Sequence, residues 1–403
     1  MRRSFGARDV LRRSARALAS LAVAMTHDLT LNAVDVLPQG GLDAKLKLGR
    51  PLRVKLGIDV TSPDIHIGRA IPLQRMRAFQ DAGHVGVLIV GDYTTRIGDP
   101  SGRSVERPIL TDEEIDANAK TYIEQAMVVL DPARTEVRYN GEWLSTLSYA
   151  DVVRLARTIT VARILERDDF EKRMAASQPI SVSELLYPLM QAYDSVAIEA
   201  DVELGGTDQL YNLLTGREVM EHYGLVPQIV LTTPLLLSWD GEKMSSSRGN
   251  NIPLNAAPEE MFGRTMRIPD SLLADWWRLV VEQGQPAGEP MEAKLALARW
   301  IVMRSHGADA AQAAEEHFTR VVREGGAPDE VPDVRLRVEV IHLPSLLVEA
   351  FGITTTSESR RLISQGAVRL GGEVLSELDY PHERLAGHVL QVGKRRFGHL
   401  TTE

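Results

Sequence analysis

Leu52-Arg-Val-Lys-Leu-Gly-Ile-Asp-Val-Thr-Ser-Pro-Asp-Ile-His-Ile-Gly-Arg69 holds the change of period that decides the fold class. Leu52–Val60 reads as a buried strand. Pro63 forces a turn, and His66-Ile-Gly leads into a helix containing Leu73, Met76 and Phe79. Val85–Asp92, the run VGVLIVGD between Gly83 and Gly91, reads as a second strand, and Gln228–Leu237 as a third. Helices fill the intervals. Thr111 and Glu114 form a capping box before a helix toward Leu130. Ser181 and Glu184 form another, followed by Leu185, Leu186, Leu189, Met190 and Tyr193 on helical spacing. Strand–helix alternation predicts a parallel sheet covered on both faces, with ligands at the carboxyl ends of its strands.

Outward from this region the pattern changes. Pro258 to Glu324 reads as mostly helical, with alanines through Ala308 to Ala314. Gly325–Asp333 has linker composition. A small unit follows from about Ile341. Ser357 is expected to cap a helix through Ser364 that Gly366 ends, and Gly371–Gly372 to turn a hairpin between Val368–Leu370 and Val374–Leu375. The expected divisions are 1–28 as an extension, 29–240 as the parallel-sheet α/β domain, 241–330 as a polar loop with a helical domain, and 331–403 as linker and small C-terminal domain. The first 25 residues carry Arg2, Arg3, Arg8, Arg12, Arg13 and Arg16 against Asp9 alone. That is transit-peptide composition. The alternative is an over-called start with translation from Met25, favoured because nothing else in the chain signals an organelle.

The 403 residues are 44% hydrophobic and 25% charged, the balance of a globular protein of two or three domains. The absence of cysteine excludes a disulfide scaffold, a cysteine nucleophile, an iron–sulfur cluster and thiolate zinc. No apolar run reaches the about 18 residues of a membrane helix. A net charge of -9 argues against a bulk polyanion binder but leaves room for a local basic patch.

Three segments carry chemistry. The helix start at His66 presents unpaired N–H groups and a partial positive charge, a site for phosphates, and Gly68 permits close approach. Gly241-Glu-Lys-Met-Ser-Ser-Ser-Arg-Gly249 is a Gly-bounded polar loop able to wrap a polyphosphate, with Lys243 as a mobile point charge. Tyr187, Gln191 and Asp194 share one helix face and precede Leu204-Gly-Gly-Thr-Asp-Gln209. Each segment alone also fits a bland reading: a satisfied helix-start histidine, a surface loop, a polar helix face.

Together, in this order and spacing, they resemble the tyrosyl-tRNA synthetases, specifically the bacterial subgroup with Val-Lys-Leu-Gly in the first strand. His66-Ile-Gly-Arg69 matches the HIGH signature and Lys243-Met-Ser-Ser-Ser247 the KMSKS signature. Asp99-Pro-Ser-Gly-Arg103, Tyr187–Asp194 and Gly205-Gly-Thr-Asp-Gln209 match the tyrosine and ATP sites. The resemblance runs from about Leu29 to the C-terminus. It implies a class I synthetase: a Rossmann-like parallel sheet, a helical middle domain and a small α+β RNA-binding domain. It implies tyrosine activation by ATP to tyrosyl-adenylate, then transfer to the 3′-terminal adenosine of tRNA(Tyr).

By the same resemblance, Thr61, His66, Gly68, Arg69, Lys243, Arg103 and Arg107 are the catalytic set. Asp99, Tyr187, Gln191, Asp194, Gly57 and Lys55 bind tyrosine, Asp194 accepting from the substrate phenol. Asp59, His66, Gly68, Gly206, Asp208, Gln209 and Lys243 to Ser247, that is Lys243, Met244, Ser245, Ser246 and Ser247, bind ATP. Arg360, Arg361, Lys394, Arg395 and Arg396 bind tRNA. Magnesium comes with ATP and no metal is held by the protein. A homodimer in the cytoplasm, away from membranes, is expected.

Three positions depart from the family. Arg69 replaces the second histidine of HIGH, Ser246 replaces the second lysine of KMSKS with Arg248 two positions on, and Lys55 stands where better-known members carry a tyrosine. They motivate one alternative, a paralogue for a tyrosine analogue or another aromatic amino acid; a third reading, a catalytically dead RNA-binding protein, is opposed by the retention of His66, Thr61, Lys243, Asp99 and Asp208. From Ile341 onward seven Lys or Arg balance seven Asp or Glu, so RNA binding there would rest on clusters.

Overall fold

The computed structural model describes residues 28–99, 110–323, 331–393 and 396–402. The extension expected over 1–28 lies almost wholly outside them, as do Arg103, Arg107, Lys394 and Arg395. The described residues form two compact units. One runs to Ala256 and includes Ile268–Ala293; the other comprises Ala257–Arg267 and the chain from Lys294 onward.

The first unit is built on a six-stranded sheet in the order β1-β6-β5-β2-β3-β4. The strands are β1 (Asp35–Leu37), β2 (Arg53–Ile58), β3 (Val85–Val90), β4 (Thr135–Tyr139), β5 (Val202–Gly206) and β6 (Ile229–Thr233). All pair in parallel except β1, an antiparallel edge on β6. After β2 the chain adds β3 and β4 on one side and returns to place β5 and β6 on the other. The order therefore reverses beside β2, and the crevice beyond its carboxyl end is the ligand position for such a sheet.

Helix α1 (Ile67–Asp81) packs Leu73, Met76 and Phe79 onto the face that carries Val54, Leu56, Leu88 and Val90. Helix α2 (Asp112–Val129) adds Ile115, Ala119, Tyr122 and Ala126 to the same core. The expected capping box is present, Thr111 accepting from the Glu114 N–H and Glu114 accepting from the Thr111 N–H. Helix α3 (Val182–Ala197) begins with the second box at Ser181 and Glu184. It packs extensively against α4 (Leu210–His222).

In the second unit, the helix Ala308–Phe318 packs on Pro258–Thr265, with the Phe262 and Phe318 rings 5.4 Å apart. The C-terminal part closes over Leu343, Leu347, Val368, Leu385 and Leu390. Its hairpin pairs Val368–Leu370 with Glu373–Val374 around Gly371–Gly372, both at positive φ. The helix Thr356–Ser364 is capped by Thr355 and not by Ser357. The Thr355 hydroxyl sits three residues before the Glu358 N–H and accepts from it at 3.2 Å.

Candidate active site

A cavity of about 750 Å³ opens beyond β2, bordered by the starts of α1 and of the turn after β5, by one face of α3 and by the loop 241–249. Gly57 borders it, and a Cβ there would project into open space. Gly91 has the opposite reason: a Cβ would collide with the Asp59 and Thr94 side chains.

At one end His66 caps α1. Its Nδ1 accepts from the Arg69 N–H at 3.3 Å, so the neutral ring carries its proton on Nε2. Burial, with the cations Arg69 and Lys243 nearby, pushes its pKa down to about 3. His66 is therefore a neutral donor throughout the physiological range. Arg69 and Gly68 border the cavity beside it.

The loop 241–249 is held by backbone bonds from Ser238 to Glu242 and from Met244 to Leu236. Asn250 ties it further, accepting from the Ser245 N–H at 2.8 Å and donating to Asp240 and to the Lys243 carbonyl. Lys243 reaches across the cavity to Asp208 at 2.5 Å. Gln209, Gly206, Met244, Ser245 and Ser247 also border the cavity. Ser246 is turned away, accepting from Asn251 at 3.4 Å. Arg248 pairs with Glu242 at 3.6 Å on the exposed rim.

The other end is acceptor-rich. Asp59 accepts from the Tyr187 hydroxyl at 3.0 Å, from Thr94 at 2.8 Å and from the Asp99 N–H at 3.2 Å. Asp99 accepts from Gln209 at 2.7 Å. Gln191 Oε1 is buried with no hydrogen-bond partner. Deeper still lies Asp194, which accepts from Trp143 Nε1 at 2.8 Å and from Asn140 at 3.4 Å. Burial pushes its pKa up to about 7, against the pull of Lys55, Trp143 and Asn140. A carboxyl so enclosed favours a ligand that donates a hydrogen bond to it.

Most of the residues singled out in the sequence thus converge on one cavity. Thr61, Lys55 and Ser246 do not border it. Lys55 is fully buried beneath it, paired with Glu203 at 2.8 Å. Arg360, Arg361 and Arg396 are exposed in the second unit. Trp143, Asn140, Thr94 and Asn250 join the site without any local mark in the sequence. Their side-chain partners at the site are 35 or more residues away, except for Asn250, which braces its own loop.

A family described as tRNA synthetases class I (W and Y) matches residues 47–323, and the chain belongs to it. Within that class its likeness is narrower. It is 49% identical to a tyrosine–tRNA ligase of Thermotoga maritima over 92% of this chain and 95% of the relative. It is 46% identical to the tyrosine–tRNA ligase of Moorella thermoacetica over 93% and 95%. The fold is shared with a tyrosyl-tRNA synthetase from Archaeoglobus fulgidus solved with L-tyrosine, at TM-score 0.57 and 23% identity, covering 71% of this chain and 97% of that one.

Proposed function

We infer that the chain is a tyrosine–tRNA ligase. It couples tyrosine to ATP, releasing pyrophosphate, and passes the tyrosyl group to the 3′-terminal adenosine of tRNA(Tyr). One observation carries the reading beyond the family: the buried Asp194 carboxyl, oriented by Trp143, at the closed end of a cavity whose open end holds His66 and Lys243.

In the first step a tyrosine carboxylate oxygen attacks the α-phosphorus of ATP, and the bond to pyrophosphate breaks. No protein nucleophile is required. The chain's own residues orient the reactants and stabilise charge growing on the phosphates. Asp194 accepts from the substrate phenol. Gln191 Oε1, Asp99 and Tyr187 receive the ammonium. Asp208 holds the ribose, with Asp59, Gly206, Gln209 and the loop residues Met244, Ser245 and Ser247 shaping the nucleotide site. His66 Nε2, Arg69 and Lys243 donate to the phosphates, a task for which a neutral histidine is suited because it needs no proton from solvent. Arg103 and Arg107 keep the expected roles as part of this proposal; Thr61 and Ser246, which do not border the cavity, are given no contact to the nucleotide. In the second step a ribose hydroxyl of tRNA attacks the tyrosyl carbonyl, and AMP leaves.

Magnesium would come with ATP, carried by its phosphates. A homodimer belongs to this proposal. Arg360, Arg361 and Arg396, with Lys394 and Arg395, are proposed to hold tRNA, and cytoplasmic residence belongs to the same proposal. No described helix is long and apolar enough to cross a membrane.

The experiment is amino-acid-dependent ATP–pyrophosphate exchange with tyrosine, phenylalanine and tryptophan, followed by charging of tRNA(Tyr). Exchange with tyrosine alone is expected. Exchange with another amino acid instead, or none from folded protein, overturns the reading.

A further inference from the structure

Lys55 and Glu203 face each other across the β2–β5 ladder, as paired residues on the sheet face opposite the Val54–Leu56 core. Their side chains are 0% and 1% exposed and 2.8 Å apart. Two charges removed from water usually gain little over an apolar pair of similar size. Their neighbours on this face, Val87 and Ile89, are apolar. Stability therefore gives no reason for an ion pair at this place.

The remaining contacts supply one. Lys55 Nζ donates to the Gln191 carbonyl and to Ser195 Oγ, each at 2.8 Å. With Glu203 these use all three of its hydrogens, so none is left for a ligand. Glu203 accepts from Ser195 at 3.0 Å, from Gln228 at 2.8 Å and from the Gln191 side chain at 3.4 Å. The last contact turns Gln191 Nε2 inward and leaves Oε1 as the acceptor without a partner. Every link from the pair to helix α3 falls on Gln191 or Ser195, the turn that carries Asp194 between them.

We propose that the buried Lys55–Glu203 pair is a positioning device for tyrosine. It pins the Gln191–Ser195 turn of α3 to the sheet and thereby sets the height and rotation of Gln191 and Asp194. Lys55 is a positioning residue and does not touch the substrate. Its cation also favours ionised Asp194, offsetting part of the effect of burial. The inference rests on the tyrosine reading of the site.

The test is a pair of variants assayed by tyrosine-dependent exchange and by thermal unfolding. The double variant K55M/E203L replaces the pair with apolar side chains of similar size. It is expected to keep the unfolding midpoint and the KM for ATP within about twofold, while the KM for tyrosine rises about tenfold and tyrosine–phenylalanine discrimination falls. S195A removes both Ser195 links, to Lys55 and to Glu203, while leaving the ion pair itself intact. It is expected to raise the KM for tyrosine about threefold with the KM for ATP unchanged. Unchanged tyrosine KM and discrimination in the folded double variant overturn the proposal. If that variant does not fold, S195A decides alone, and an unchanged tyrosine KM overturns it equally. Absence of tyrosine-dependent exchange in the unmodified protein would instead sink the ligase reading.

Discussion

Asp194 and Lys243 occupy opposite ends of one cavity and are held in opposite ways. Asp194 is 3% exposed, braced by Trp143 and Asn140, and its turn of α3 is clamped from below by Lys55 and Glu203. Lys243 has 49% of its side chain exposed and a single described ion pair, with Asp208. At the closed end a misfit leaves a buried polar group without a partner, which is costly and makes for discrimination. At the open end a mobile cation can follow charge as it moves from ATP to departing pyrophosphate. On the proposed reading, one end selects the substrate and the other accelerates the reaction.

This contrast breaks if mutations at the two ends affect the same kinetic parameter. The largest effect is expected for Lys243→Ala, lowering the rate of tyrosyl-adenylate formation about 100-fold to 1,000-fold in single-turnover kinetics, with tyrosine affinity within about twofold. Asp194→Asn should act on specificity instead. Tyrosine KM should rise and the preference over phenylalanine should fall about tenfold to 100-fold in exchange assays, because the amide offers a donor where the phenol needs an acceptor. Tyrosyl-tRNA synthetases are themselves the standard example of a site that rejects a substrate lacking one hydroxyl.

The pH dependence sharpens the same point. Asp194 titrates near 7 in the folded chain and near 3.8 in the unfolded one. The folded state thus binds the extra proton between these values, and the stability contributed by this group is present at low pH and lost as pH rises through the window. Tyrosine binding runs the other way, since the ionised carboxylate is the better acceptor for the phenol. KM for tyrosine should rise as pH falls below about 7, as pH-resolved exchange kinetics would reveal, and the trend should disappear in Asp194→Asn. A smaller effect is expected for Trp143→Phe, about fivefold in tyrosine KM from one lost hydrogen bond. Smallest is Arg248→Ala, within about twofold on either substrate, because its partner Glu242 is an exposed rim contact. A large loss there would mean that Arg248 compensates for Ser246 at the phosphates.

Much of the scaffold is legible in the sequence because its signals are local. The VGVLIVGD run forms β3, both capping boxes form, and the helix after His66 buries the residues its spacing indicates. Thr355 replaces Ser357 as a cap because two hydroxyls near one helix start look alike until the backbone selects the one three residues before a free N–H. The site is legible where its residues form contiguous signatures. Lys55 is different: its place in the chain suggests a contact to tyrosine. Its actual partner, Glu203, lies far along the chain and becomes adjacent only when β2 pairs with β5.

The sequence by itself determined the alternating α/β plan, the helix starts, and the residue types gathered at each signature, since periodicity, capping and turn chemistry act over a few residues. Tertiary structure decided which end of the cavity is closed, that Trp143 orients Asp194, that Asn250 braces the loop, and that Lys55 faces Glu203 and the Gln191–Ser195 turn rather than the ligand. Those outcomes depend on strand order and burial, which bring together groups far apart along the chain and set the dielectric around them.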